Sequence, residues 1–153
     1  MSIQVAGGQV DLLGVRSPQI TADDAWIRFD RTAGTVEATL NRSTFEAEGH
    51  EGKLDLLSTD SDVRLASLAG GLRFDGLGGA LSLIGGRGPL EVKSEDTTTR
   101  LAEWRGAVTV TARGGSTELL SMRGSGAAMR LSLYDVQTLL DDVSGAGQLV
   151  VEG

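Results

Sequence analysis

Glycine returns at every eighteenth residue through the middle of the chain: Gly34, Gly52, Gly70, Gly88, Gly106 and Gly124. A column held at fixed spacing marks a repeat architecture and constrains the fold more than any local propensity does. Half of that period is also visible. From Trp26 to Gly124 the chain divides without a gap into nine-residue units, among them WIRFDRTAG, DVRLASLAG and STELLSMRG. The second and fourth positions of a unit are mostly apolar and the third is nearly always polar. That alternation is the pattern of a short strand with one buried face.

Alternate units end in the glycine column, while the units between them end in Ser43, Ser61, Gly79, Thr97 and Gly115. Two unit types therefore make two sides of one coil. Parallel stacking of such coils places residues eighteen apart above one another, at about 4.8 Å. The expected inward columns are Ile27, Phe45, Val63, Leu81, Thr99, Thr117 and Val36, Leu54, Leu72, Leu90, Val108. The fourth positions add Phe29, Ala47, Leu65, Leu83, Leu101, Leu119 and Ala38, Leu56, Phe74, Val92, Val110. One outward column, Arg28, Glu46, Arg64, Ser82, Arg100, Glu118, alternates in sign wherever charged neighbours meet, as favourable cross-strand pairing requires.

The predicted fold is all-β: a single-domain parallel β-helix, or β-solenoid, over residues 1–153, with about 18 residues per coil. Residues 26–124 carry the regular repeat, and residues 1–25 and 125–153 form altered end coils, with a three-residue slip at Ser125–Ala127. A subperiod of nine, not six, favours a flattened, two-sided coil. The right-handedness of parallel crossovers makes the coil right-handed. An antiparallel sandwich would not demand gap-free spacing.

Composition then narrows the function. The chain has no Cys, a single His, 14 Lys and Arg against 21 Asp and Glu, and a net charge of −7. Thiolate chemistry, iron–sulfur clusters, Cys-based zinc and two-His metal sites are excluded. An acidic balance argues against nucleic acid as a partner. No apolar run is long enough for a transmembrane segment, and the N-terminus carries no signal-peptide pattern. The chain is thus expected in the cytoplasm if full length, or in the cell envelope if it is a piece of a larger protein. With only Lys53 and Lys93 as lysines and turns too short to build a groove, no catalytic residues are assigned and no enzyme is expected.

No cofactor or metal is expected either. His50 reads as a solvent-exposed turn residue. Gly70 to Gly78 resembles a calcium-binding nonapeptide, but Arg73 stands where that motif requires glycine. The one local charge anomaly is Arg87, Arg105 and Arg123, which recur at spacing 18, with Trp104 and Met122 beside the last two. Stacked like charges are unfavourable unless screened or bound, and Trp and Arg are favoured at interfaces. Arg87, Arg105, Arg123 and Trp104 therefore form a candidate anion or partner stripe, suited to an anionic glycan or lipid headgroup.

No amphipathic helix is visible at either end, and strand-like sequence runs from Ile3 and again through Gln148–Glu152. Open end coils imply a covering partner, either a like subunit or a larger assembly. The segments GLRFDGLGGALSLIGG and AVTVTARGG resemble the β-helical adhesin-type domains of bacterial envelope proteins. That resemblance implies a non-catalytic, structural or protein-binding role. The uncapped coils are also similar to those of bactofilins, bacterial cytoskeletal β-helices that polymerise end to end, though the disordered tails typical of that family are missing. Ile20–Ala25, followed by a strand and Gly34-Thr35-Val36, is similar to a repeat of lipopolysaccharide-transport bridge proteins.

Overall fold

Period-two alternation leaves each nine-residue unit only one way to bury its apolar side chains: as a strand lying flat on a shared interior. In the computed structural model, which describes residues 1–152, every element is a strand and every pairing is parallel. Side chains are described for all of these except residues 124–127 and 145–152. The strands are β1 (Ser2–Leu13), β2 (Gln19–Asp30), β3 (Val36–Asn41), β4 (Thr44–Glu48), β5 (Leu54–Ala69), β6 (Leu72–Arg87) and β7 (Leu90–Glu95). They continue as β8 (Thr98–Arg105), β9 (Val108–Arg113), β10 (Ser116–Leu120), β11 (Arg123–Tyr134), β12 (Gln137–Asp141) and β13 (Ser144–Glu152). Together they wind into one β-solenoid of about 8 coils.

Register follows the predicted period. Val36 pairs with Leu54, Leu54 with Leu72, Leu72 with Leu90, and Leu90 with Val108. The spacing departs from eighteen only toward the ends. Ser2 pairs with Gln19, one residue short, and Thr109 pairs with Arg130, three residues long. Those three extra residues fall at a register shift between Gly124 and Ala128. All of the predicted inward columns are buried, with Thr99 and Thr117 among them. Phe29 and Phe45, on adjacent coils, meet at 5.2 Å between ring centroids with a 53° tilt.

Each coil bends at three left-handed corners. The first runs through Asp24, Arg42, Asp60, Gly78, Asp96 and Gly114, and the second through Arg31, Gly49, Ser67, Gly85, Glu103 and Ser121, all at positive φ. The third is the glycine column. Gly52, Gly70 and Gly106 sit at φ +128°, +137° and +133°, a region that side-chain-bearing residues rarely enter. A Cβ on Gly70 would lie 2.5 Å from the Gly52 carbonyl oxygen, so each glycine packs its backbone on the previous one. Gly124, the last member predicted for the column, lies outside the residues whose surroundings are described.

Between the second and third corners runs a short third side, in addition to the two long sides that the nine-residue units make. Its outward residues are in register from Ala33 to Glu51 to Ala69 to Arg87. Its inward residues are Thr32, His50, Leu68, Trp104 and Met122, all buried, with Gly86 between Leu68 and Trp104. A Cβ at Gly86 would strike the Trp104 ring, so the glycine makes room for the indole.

Candidate functional site

Two features stand out once the coils are stacked: the arginine column on the short side, and the open edges of the end coils. The arginine column is built as spacing predicts. Arg87 pairs with Arg105, and Arg105 with Arg123. Backbone hydrogen bonds from Gly70, Gly88 and Gly106 N–H to the carbonyls of Arg87, Arg105 and Arg123 (3.2, 3.0 and 3.2 Å) hold the three residues in line. All three side chains are exposed. Arg123 approaches Asp142 at 3.5 Å, whereas among the described residues Arg87 and Arg105 have no carboxylate within ion-pair distance. A shallow cleft between coils is lined by Glu103, Arg105, Ser121 and Arg123.

Trp104 corrects the expectation that it belongs to this stripe. Strand alternation turns it inward: it is 0% exposed, and its Nε1 donates to the Gly88 carbonyl at 3.0 Å. Met122 is buried in the same way. Both are interior residues of the third side, so a ligand on the stripe meets arginine and not indole. A third inward phase at the seventh position of alternate units, visible as Leu68, Trp104 and Met122, is the signal that would have identified them.

His50 is a second correction. It is 0% exposed, stacked under Thr32, with 2.8 Å between Nδ1 and the threonine Oγ1. Its Nε2 is buried without a partner, and burial pushes its pKa below the usual 6.5. The third side turns it inward because it shares the phase of Leu68.

Four aspartates, Asp23, Asp24, Asp62 and Asp142, face arginines. Arg42 makes a two-pronged contact with Asp24 at 2.9 Å and reaches Asp23 at 2.9 Å, holding the Asp24 carboxyl below its ordinary pKa. Asp62 lies 2.7 Å from Arg64, which also reaches Glu46 at 3.3 Å in the alternating column. Among the described residues, no three acidic or histidine side chains converge as a metal site would require. The corner hydroxyls are structural: Ser43 Oγ accepts from Ala25 N–H at 3.2 Å, and Ser61 Oγ accepts from Ser43 N–H at 3.0 Å.

In the outermost coils of the described residues the columns are less covered. Ile3, Val5, Val10 and Leu12 of β1 are only half-buried, although the residues one coil further along the same columns, Ile20, Ala22, Ile27 and Phe29, are buried. At the other end Leu140 of β12 continues the column of Leu119 and is 38% exposed. Among the described residues, β1 pairs only with β2 and β12 only with β10.

The Gln19 N–H donates to the Met1 carbonyl at 2.8 Å, which sets the parity of the edge. The backbone groups of Ile3 and Val5 face β2, and those of Ser2, Gln4 and Ala6 face away from it. Comparison with known proteins finds no matching family model, no matching curated protein and no matching solved structure.

Proposed function

We propose that the protein is a non-enzymatic structural and protein-interaction β-solenoid that assembles by pairing its end coils with a further solenoid coil. That coil comes from a second copy of this chain or from a larger assembly. One observation carries the reading: among the described residues the outer edge of β1 pairs with no strand, and the apolar columns are only half-covered at Ile3, Val5, Val10 and Leu12. A parallel edge of this kind offers a row of unmade backbone hydrogen bonds and a strip of exposed core, and both are satisfied together by one more coil. The repeat supports this, since any coil of this period presents matching columns. Head-to-tail pairing of this sort does not close on itself and gives filaments.

The test is a proline at Gln4. Its N–H points to the free edge and its side chain is exposed, so Gln4→Pro removes an edge donor without removing a bond of the fold. Analytical ultracentrifugation of the wild type is expected to show concentration-dependent association that Gln4→Pro weakens about tenfold or more. A wild type that stays monomeric at all concentrations, or a variant that associates as well as the wild type, overturns the reading.

A further inference from the structure

We propose that Arg87 and Arg105 form a binding site for a phosphate-type oxyanion, extended by Arg123 for ligands carrying more than one phosphate. This goes beyond the assembly reading and stands independently of it. Several arginines elsewhere are set against a carboxylate of a neighbouring coil, while others, such as Arg28 and Arg73, stand singly between residues of other types. In the outward column of the second long side, Arg64 reaches Glu46 at 3.3 Å, and Arg100 reaches Glu118 at 3.4 Å one coil away. At the first corner, Arg42 grips Asp24 of the coil before it.

On the short side, and among the described residues only there, three arginines stack on one another. Their backbones are held about one strand spacing apart by the ladder, and two of them have no carboxylate in reach among the described residues. Repulsion along such a column is relieved by an anion seated between neighbours.

The geometry selects the class of anion. Two exposed arginines whose backbones lie one strand spacing, about 4.8 Å, apart can bring N–H donors from two coils to one point, which suits a tetrahedral group with several acceptor oxygens. Ala69, in register above Arg87, is small and leaves the upper end of the stripe open. At the lower end Arg123 is partly engaged by Asp142 at 3.5 Å, so the uncompensated pair is Arg87 with Arg105. A second phosphate reaches Arg123 by displacing that carboxylate. Glu103 lines the cleft beside Arg105 and Arg123 and opposes an anion there, which gives that end of the stripe a built-in sign test. Trp104, buried directly under Arg105 in sequence and bonded to the Gly88 carbonyl, fixes the backbone from which Arg105 projects.

Isothermal titration of the full chain with pyrophosphate tests the proposal, beside inorganic phosphate and acetate at matched ionic strength. The expected order is pyrophosphate tighter than phosphate, with acetate weakest, and all weaken as salt rises. Arg105→Ala is expected to weaken pyrophosphate about tenfold or more, and Glu103→Gln to tighten it severalfold. Arg28→Ala, an exposed arginine of another column, is expected to leave it unchanged.

Sedimentation with phosphatidylcholine vesicles doped with phosphatidic acid separates two sources of the same chemistry. Arg105-dependent vesicle binding identifies a lipid headgroup, and pyrophosphate binding without vesicle binding identifies a soluble phosphate ligand. Absence of saturable pyrophosphate binding overturns the site. So does binding that survives Arg105→Ala, or that Arg28→Ala weakens equally. Because all three substituted side chains are exposed, an unchanged circular-dichroism spectrum confirms that the variants stay folded.

Discussion

Gly70→Ala should be among the most damaging single-methyl changes this chain can suffer. Gly70 sits at φ +137°, where an L side chain is strained by about 1–3 kcal/mol. Its Cβ would lie 2.5, 2.6 and 2.7 Å from the oxygen, carbonyl carbon and Cα of Gly52. These neighbours are backbone, held by their own ladder, so the clash is relieved only by prising two coils apart, at about 1–3 kcal/mol more.

The total, about 2–6 kcal/mol, is a large share of the stability of an ordinary domain, about 5–15 kcal/mol. Gly49→Ala is the matched control. Gly49 sits at φ +64° with nothing within 4 Å of its would-be Cβ, and its corner already holds Arg31, Ser67 and Glu103 at positive φ. It should cost only about 1 kcal/mol. Urea unfolding followed by circular dichroism compares the two, using midpoints because stacked repeats need not unfold in one step. Equal midpoints for Gly70→Ala and Gly49→Ala would refute the stacked-backbone account of the glycine column.

Other consequences follow from the third side. His50 has a pKa lowered by burial, so the unfolded chain takes up its proton first. Its contribution to stability is complete above about pH 6.5 and is lost as the pH falls below that value toward the folded pKa. Unfolding midpoints of the wild type and His50→Leu should therefore diverge in favour of the variant below about pH 6.5, and a constant gap would contradict the buried placement. Trp104→Ala should destabilise by about 3–5 kcal/mol, far more than truncation of a surface indole, as read by the same urea midpoints. Of the two tryptophans, Trp26 is half-open and Trp104 is enclosed. Trp26→Phe should leave blue-shifted emission that acrylamide barely quenches, and Trp104→Phe the reverse.

The two long sides were legible because their inward columns are chemically uniform. Val36, Leu54, Leu72, Leu90 and Val108 repeat one preference every 18 residues, and a two-residue alternation within each unit says which way they point. The glycine column was legible for a related reason, since backbone-on-backbone stacking tolerates a single residue type. The third side was not. Its inward column mixes Thr32, His50, Leu68, Gly86, Trp104 and Met122, so no hydropathy period announces it.

Burial there is imposed by closure of the coil, and the fit comes from complementary shapes, with Gly86 beneath the Trp104 ring and Thr32 against His50. For this reason sequence alone leaves His50 and Trp104 at the surface, while spacing alone aligns Arg87, Arg105 and Arg123. Corner hydrogen bonds such as that from Ser43 N–H to Ser61 Oγ are likewise invisible in sequence, because Ser, Thr and Gly all satisfy a bend.

Parallel coils stacked at constant rise are the basis of every feature above, and spin labels can measure that rise. The chain contains no cysteine, so two introduced thiols are labelled uniquely. Thr21, Thr39, Leu57, Asp75, Lys93, Thr111 and Ser132 follow one another in register along one outward column. Four steps separate Thr21 from Lys93 and six separate Thr21 from Ser132. Electron–electron double resonance on Thr21→Cys/Lys93→Cys and Thr21→Cys/Ser132→Cys should give distances centred at about 19 Å and about 29 Å. A Thr21–Ser132 distance equal to or shorter than the Thr21–Lys93 distance would contradict the solenoid.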